Sequence, residues 1–183
     1  MKAISVRRLT FAALVAAVYA VVTILTASFA YGPVQFRIAE ALCILPFFMP
    51  FTTWGLFVGC ILSNIISPVG PLDMIFGSLA TLGCCLCIAA IGKRWDGKSW
   101  GKCILACLMP AIWNGVIIGA LLALTAGEQE GARLSLFFLY GAEVAAGELA
   151  VMFILGLPLM RWLPKTKFFT QLKAKLDNAA EKV

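Results

Sequence analysis

The chain has 183 residues, of which 62% are hydrophobic and 13% are charged, with a formal net charge of +6 and no histidine. Soluble domains average about 45–50% apolar and about 25% charged residues, so this composition is typical of an integral membrane protein. Without histidine the chain cannot form Ser-His or Cys-His catalytic pairs or a His-ligated metal centre, which argues against most classes of enzyme.

Long uncharged runs recur along the chain, and a run of about 18 or more apolar residues is a candidate transmembrane helix. Pro46 and Pro50 divide one very long apolar stretch, because proline removes a backbone donor and clashes with the preceding turn. We therefore predict an all-α membrane protein with six transmembrane helices in a domain over residues 1–163. The predicted spans cover residues of about 9–28, 36–49, 52–66, 72–91, 102–125 and 134–160.

The remaining segment, residues 164–183, carries Phe168, Phe169, Leu172 and Leu176 among several lysines. This pattern is typical of an interfacial amphipathic helix, and a frayed, solvated tail is the alternative.

The distribution of cations predicts the orientation of the spans, since cytoplasmic loops carry an excess of Lys and Arg. With both termini in the cytoplasm, every Lys and Arg except Arg37 and Arg133 falls on the cytoplasmic side. Fusing spans two and three would place the basic loop Gly92 to Gly101 outside and break this pattern. The sequence therefore favours six spans with an N-in, C-in orientation.

The segment Gly92 to Ser99 matches the phosphate-loop expression Gly-x4-Gly-Lys-Ser letter for letter. That motif binds phosphates where it connects a strand to a helix, with backbone donors and a helix end around the anion. Here the segment joins two predicted membrane helices, so we interpret it as a cationic loop. We expect no ATPase activity from this chain alone.

The seven cysteines lie in or at the ends of apolar runs, where a free cysteine behaves as a small hydrophobe. A soft-metal site formed by Cys84, Cys85 and Cys87 is the alternative. We expect no metal site.

Strongly polar side chains in the predicted spans lie at mid-depth or toward the outer side. An ionisable residue at membrane depth is energetically expensive and marks a functional site by default. Because a channel would carry polar groups along its whole path, this asymmetry favours a pocket that opens to the exterior. The residues concerned are Arg37, Glu40, Asn64, Asp73, Asn114, Glu143 and Glu148.

Each of these residues also has a structural interpretation. Arg37 and Glu40 are three residues apart and can form an ion pair on one helix face. Asp73 can stabilise a helix start, and Asn64 can bond a neighbouring helix.

The two glutamates of span six, Glu143 and Glu148, are harder to explain structurally. They lie five residues apart, about 140° around a helix, with no cation at their depth. We expect at least one of them to contact a ligand.

Two stretches of the chain carry a family resemblance. Tyr-Gly-Pro-Val-Gln-Phe-Arg-Ile-Ala-Glu-Ala-Leu (Tyr31 to Leu42), followed by Leu45-Pro46, resembles the signature of the QueT family. Ser-Pro-Val-Gly-Pro-Leu-Asp-Met-Ile-Phe-Gly-Ser-Leu-Ala-Thr-Leu (Ser67 to Leu82) resembles it too. QueT proteins are substrate-binding S components of energy-coupling-factor (ECF) vitamin transporters, assigned to queuosine precursors.

The resemblance implies a six-helix bundle in the bacterial plasma membrane that captures its ligand on the outside, with the first loop as a lid. It also implies three protein partners, a membrane coupling protein (T component) and two cytoplasmic ATPases, and no cofactor. The small residues of span one resemble the motif that docks on the coupling protein: Ala12, Ala13, Ala16, Ala17 and Ala20.

The ligand implied by the resemblance is a 7-deazaguanine, such as preQ1, preQ0 or queuine. Its guanine-like edge would donate to Glu143 or Glu148, and charge-assisted bonds of this kind are about twice as strong as neutral ones. Glu40 or Asp73 would take an aminomethyl cation. The remaining candidates are Asn64 and Asn114 for the carbonyl and ring nitrogens, Tyr31, Phe36 and Trp113 for stacking, and Gln35 and Arg37 at the mouth of the site.

Other functions stay open at this point. The ligand can be another vitamin, such as riboflavin, thiamine or folate. A small ion-coupled carrier or channel would use Glu143 and Glu148, and a membrane enzyme would combine glutamates with Cys60 or Ser63.

Overall fold

The computed structural model of the chain describes residues 5–32, 34–94, 99–126 and 133–181, and within these ranges it contains helices and no β-strand. The predicted all-α fold is therefore confirmed for the described residues. The main helices are α1 (Val6–Leu25), α2 (Ile38–Phe48), α3 (Thr52–Asn64), α4 (Pro71–Gly92), α5 (Trp100–Thr125), α6 (Arg133–Lys165) and α7 (Lys167–Glu181). A four-residue helix, Ala27–Ala30, lies in the connection between α1 and α2.

Four helices, α1, α4, α5 and α6, are long and apolar enough to cross a membrane, and they coincide with predicted spans one, four, five and six. The other two are shorter than predicted. The first part of α2, Ile38–Ile44, is a 3₁₀ helix, and α3 has 13 residues, or about 20 Å at ~1.5 Å per residue against a ~30 Å core. The six-span count and the N-in, C-in orientation stay predictions.

Small residues bring helices into close contact, as expected where helices pack within a membrane. A Cβ atom built on Gly55 of α3 would lie 2.3 Å from the Ala12 carbonyl oxygen of α1. One built on Gly119 of α5 would lie 2.6 Å from Cα of Gly141 in α6. Larger side chains at these glycines would push the helix pairs apart.

Successive helices alternate in direction. As a result, many Lys and Arg residues lie at the same end of the bundle, which we call the cationic end. There the guanidinium carbon of Arg161 lies 4.4 Å from the Trp100 ring centroid, and the Lys102 ammonium donates to the carbonyl of Arg94. Residues 95–98 of the loop Gly92 to Gly101 lie outside the described residues, as do residues 127–132 of the loop Ala126 to Arg133.

The tail helix α7 packs against the cationic end. Phe169 and Leu176 are buried there, and the ring of Phe169 lies 5.3 Å from that of Phe48 in an edge-to-face arrangement. Arg8 of α1 donates to the Leu176 carbonyl oxygen and pairs with Asp177, both at 3.0 Å. These contacts attach the C-terminal helix to the start of the first one.

Candidate ligand-binding site

The loop between α1 and α2 folds down into the bundle. Its Val34 carbonyl packs against Gly147 of α6, where a built Cβ atom would lie 1.8 Å from the carbonyl oxygen. At ~1.5 Å per residue, Gly147 is roughly 20 Å along α6 from Arg133. Gln35 is buried and has a φ of 43°, a left-handed conformation that non-glycine residues rarely adopt. This turn delivers Arg37 to the interior of the bundle.

Arg37 is a buried cation at the start of α2, with 2% of its surface exposed. Its Nη1 atom contacts the Cys60 sulfur at 3.8 Å, and its guanidinium carbon lies 5.5 Å from the Tyr31 ring centroid. Its Nε and Nη2 atoms have no hydrogen-bond partner among the described residues. A buried, incompletely bonded charge is costly, so Arg37 is suited to donate to a ligand.

Asp73, in the first turn of α4, is bonded on one side only. Its Oδ2 atom accepts from the Ser67 hydroxyl at 2.6 Å, whereas Oδ1 is buried without a partner among the described residues. Asn64 of α3 donates to the Asp73 backbone carbonyl at 3.1 Å, so it does bond a neighbouring helix. The free carboxylate oxygen leaves Asp73 able to accept from a ligand.

Tyr31 lies beside these residues, and its hydroxyl donates to the Ser63 carbonyl at 2.7 Å. The same hydroxyl lies 3.3 Å from Oδ1 of Asn64. Burial raises the pKa of the Tyr31 phenol above its ordinary value, so the hydroxyl is a neutral donor at physiological pH and well above it.

Glu148 of α6 and Asn114 of α5 form a buried pair in the middle of the bundle. The Asn114 amide donates to Oε1 of Glu148 at 2.7 Å. The other oxygens of the pair, Glu148 Oε2 and Asn114 Oδ1, are buried without partners among the described residues. Native proteins rarely leave buried acceptors unbonded, so this pair is a second place where a ligand is expected to bond.

Glu40 is held by the protein itself. Its Oε1 atom accepts from the Tyr19 hydroxyl at 2.5 Å and Oε2 from the Cys43 thiol at 2.9 Å. Within the described residues, Arg37 and Glu40 do not form an ion pair. Glu40 therefore joins α2 to α1, with both oxygens already occupied.

Arg37 is a buried cation in a region that also holds three carboxyl groups. Glu40 and Asp73 lie within its electrostatic range, and Glu148 lies within range of Arg37 and Glu40. These groups therefore act on one another although no ion pair joins Arg37 to a carboxylate among the described residues.

A cavity of about 350 Å³ opens beside this region at the end of the bundle opposite to the cationic end. Asp73, Gln35 and Tyr31 line it, so it is continuous with the polar residues described above. Glu143 is half-buried and reaches the same cavity from α6, next to Tyr140. The volume of the cavity is in the range of small-molecule binding sites.

Comparison with known proteins identifies the family. The model of the family described as "QueT transporter" matches residues 9–165. The chain belongs to the QueT transporter family. It is 38% identical over 72 residues to a Lactococcus lactis subsp. cremoris (strain MG1363) protein named "Queuosine precursor transporter QueT". The matched segment is 38% of this chain and 42% of that relative. No solved structure matches the chain.

Several residues predicted for the QueT-type site do come together. Asn64, Asp73, Arg37 and Tyr31 form one connected group, Glu148 and Asn114 lie within the bundle near it, and Glu143 and Gln35 line the adjoining cavity. As their angular separation predicts, Glu143 and Glu148 do not share a partner: one faces the cavity and the other faces Asn114.

Two aromatic candidates lie elsewhere. Trp113 packs against Gly83 of α4, where a Cβ atom would lie 2.6 Å from its ring, and it borders the apolar core. Phe36 has 41% of its surface exposed on the outside of the bundle. Tyr31 is thus the aromatic candidate that contacts the polar residues of this QueT family member.

Sequence reasoning missed three residues of this region. Tyr19 bonds Glu40, Ser67 bonds Asp73, and Tyr140 lines the cavity. A sequence signal existed for Tyr19, because it is a phenol in the middle of predicted span one. It lies beside the alanine ridge of α1, which comprises Ala12, Ala13, Ala16, Ala17 and Ala20. Ser67 lies within the second family stretch but was not singled out.

Three thiols converge, but not the three considered above. The sulfur atoms of Cys43, Cys84 and Cys85 lie within 4.8 Å of one another, and all three residues are fully buried. Cys87 is outside this group and partly exposed. Cys43 donates to Glu40 and Cys84 to the Thr81 carbonyl, as is typical of thiols packed as small core residues.

Proposed function

We propose that this protein is the substrate-binding S component of an ECF-type importer and captures a 7-deazaguanine queuosine precursor from the outside. The observation that carries the proposal is the set of buried, unbonded polar atoms on Arg37, Asp73, Asn114 and Glu148. Of these residues, Asp73 lines the open cavity. Each of the atoms costs about 1–3 kcal/mol if it stays unbonded, and more if it is charged. A polar, flat ligand would bond them.

The chemistry of preQ1 complements these atoms. Its guanine-like edge presents two N–H donors, which suit the neighbouring acceptors Glu148 Oε2 and Asn114 Oδ1. Its carbonyl oxygen suits Arg37, and its aminomethyl cation suits the unbonded Oδ1 atom of Asp73. The name of the Lactococcus relative supports the same class of ligand.

The proposed protein partners are a membrane coupling protein and two cytoplasmic ATPases. The alanine ridge of α1 supports this part of the proposal. Ala12, Ala16 and Ala20 are buried within the protein, with Ala12 and Ala16 against α3, which leaves Ala13 and Ala17 exposed. Two small residues four apart form a face on which another helix can pack closely.

The direct test is equilibrium binding of preQ1 to the purified protein in detergent. We expect Glu148→Gln to weaken binding by about tenfold, because an amide nitrogen in place of a carboxyl oxygen leaves a buried ligand donor unbonded, at a cost of about 1–3 kcal/mol. Asp177→Asn, the same chemical change at the cationic end, should leave affinity unchanged. Wild-type affinity in Glu148→Gln, Asp73→Asn and Arg37→Gln alike would refute the proposed site.

A second measurement separates an S component from an ion-coupled carrier. Reconstituted alone in liposomes, the protein should bind preQ1 but not accumulate it, with or without an ion gradient. Gradient-driven uptake by the chain alone would show that it is a carrier that works without ATPases.

A further inference from the structure

A groove of about 620 Å³ runs between α1 and α7 at the cationic end. Its position is set by Arg8, which pairs with Asp177, donates to the Leu176 carbonyl and lies 5.1 Å from the Phe51 ring centroid. Because Arg8 bonds α7 through Leu176 and Asp177, it holds the two helices that form the groove together. Its lining residues are Val6, Arg7, Thr10, Phe11, Leu14, Leu172, Lys175 and Leu176.

Two cations face this groove from its opposite sides. Arg7 comes from the first turn of α1 and Lys175 from α7, and both are exposed. Neither forms an ion pair with another residue that the structure describes. The groove therefore presents two positive charges that α7 itself does not neutralise.

The rest of the groove is apolar and extends along α1. Leu14 lies roughly 10 Å beyond Arg7 along the helix at ~1.5 Å per residue, and Phe11 lies between them. Leu172 and the buried Leu176 form the facing wall. Since α1 is long and apolar enough to span a membrane, the groove runs from a charged surface into the hydrocarbon region.

We propose that this groove binds one anionic phospholipid. Its phosphate lies between the guanidinium of Arg7 and the ammonium of Lys175, and an acyl chain lies along Phe11, Leu14 and Leu172. Basic pockets at the ends of membrane helices bind anionic lipid headgroups in this way, and the guanidinium matches phosphate geometry. The inference depends on the membrane location of the chain and not on the identity of its transported ligand.

The lipid would act as a third element that joins α1 to α7. Bound in the groove, it bridges two helices that otherwise meet through Arg8, Leu176 and Asp177. Anionic lipid is therefore expected to raise the thermal stability of the protein, because any ligand that binds the folded state alone stabilises it.

The test is native mass spectrometry and thermal unfolding of the purified full chain with added phosphatidylglycerol or phosphatidylcholine. The test variant is Arg7→Gln with Lys175→Gln, which shortens no helix and removes no buried side chain. The matched control is Lys165→Gln with Lys167→Gln, which removes the same charge from two exposed residues outside the groove.

For wild type and control we expect retention of one phosphatidylglycerol and a rise in the unfolding midpoint on its addition. The groove variant lacks two cations, each of which contributes about 1 kcal/mol near a headgroup, so it should bind phosphatidylglycerol roughly thirtyfold more weakly. It should also lose the rise in midpoint. An equal loss in the control, equal binding of phosphatidylcholine, or unchanged binding in the groove variant would overturn the proposal. Unchanged binding in the groove variant would indicate that the groove contacts a protein partner instead of a lipid.

Discussion

The side chain of Asn114 donates to the Glu148 carboxyl across 2.7 Å and thereby joins the middle of α5 to the middle of α6. The bond fixes the direction of the remaining oxygens, Asn114 Oδ1 and Glu148 Oε2, both of which are buried and unbonded within the described part of the protein. The pair therefore offers two preorganised acceptors. Preorganisation matters because a receptor that needs no rearrangement loses less free energy on binding.

Replacing Asn114 by Ala tests this arrangement. The change removes one acceptor and frees the orientation of Glu148, so we expect preQ1 affinity to fall by about tenfold or more. Equilibrium binding measures it, and Asn178→Ala, which removes an exposed amide on α7, should have no effect. Equal affinities of the two variants would mean that Asn114 serves only to join the helices.

Gly77 keeps the Asp73 side of the site open. A Cβ atom there would lie 2.7 Å from Asp73 Oδ1 and 2.8 Å from Asn64 Nδ2, so Gly77→Ala must displace both polar groups. We expect a large loss of preQ1 affinity with retained helix content by circular dichroism. Gly101→Ala is the control, because the nearest atom to a Cβ built there is Ser99 Oγ at 4.0 Å. Binding that survives Gly77→Ala would exclude Asp73 from the site.

Gly147 lets the loop between α1 and α2 pack closely against α6. A methyl group there would lie 1.8 Å from the Val34 carbonyl oxygen, a clash with backbone that cannot be relieved by a rotamer change. We expect Gly147→Ala to lift the loop and to speed dissociation of preQ1 in a stopped-flow experiment, since a loop of this kind sequesters its ligand by closing.

The control is Gly101→Ala at the cationic end, where the nearest atom to the added one is Ser99 Oγ at 4.0 Å. It should leave the dissociation rate unchanged. A Gly147→Ala protein that releases preQ1 at the wild-type rate would show that the loop does not act as a lid.

Tyr19→Phe separates structural from ligand-contacting carboxyl groups. It removes the donor to Glu40 Oε1 and leaves a buried acceptor unbonded, which costs about 1–3 kcal/mol. We expect a lower thermal unfolding midpoint in detergent and a preQ1 affinity within about twofold of wild type, because both Glu40 oxygens bond the protein. A loss of preQ1 affinity without a loss of thermal stability would show that Glu40 contacts the ligand.

The positions of the long helices and the set of polar residues could be predicted from sequence. A membrane-spanning helix requires a long apolar run, and a polar residue within such a run is conspicuous. Long apolar runs coincide with α1, α4, α5 and α6, and a charged residue in such a run stands out at once. The short helices α2 and α3 are harder to predict from sequence. Pro46 and Pro50 indicated the division, but not that Ile38–Ile44 would be 3₁₀.

The partners of the polar residues could not be predicted, because they depend on how helices distant in sequence pack. Glu40 is predicted, as an alternative to Asp73, to take an aminomethyl cation, and in the structure it bonds Tyr19, which is 21 residues earlier. Trp113 precedes Asn114, but neighbouring residues in a helix point about 100° apart, so Asn114 faces the site while Trp113 packs on Gly83. The descent of Val34 onto Gly147 has no local signal at all.

The exposed alanines of α1 give a prediction about transport rather than binding. Ala13 and Ala17 lie one helical turn apart on the exposed face, so Ala13→Leu with Ala17→Leu should block close packing of a coupling helix. With the coupling protein and ATPases reconstituted, we expect ATP-dependent preQ1 uptake to fall to background while binding to the isolated chain is unchanged. Leu9→Ala with Leu25→Ala, two exposed changes at the ends of the same helix, should retain uptake. Uptake that persists with leucines at positions 13 and 17 would place the docking surface on another helix.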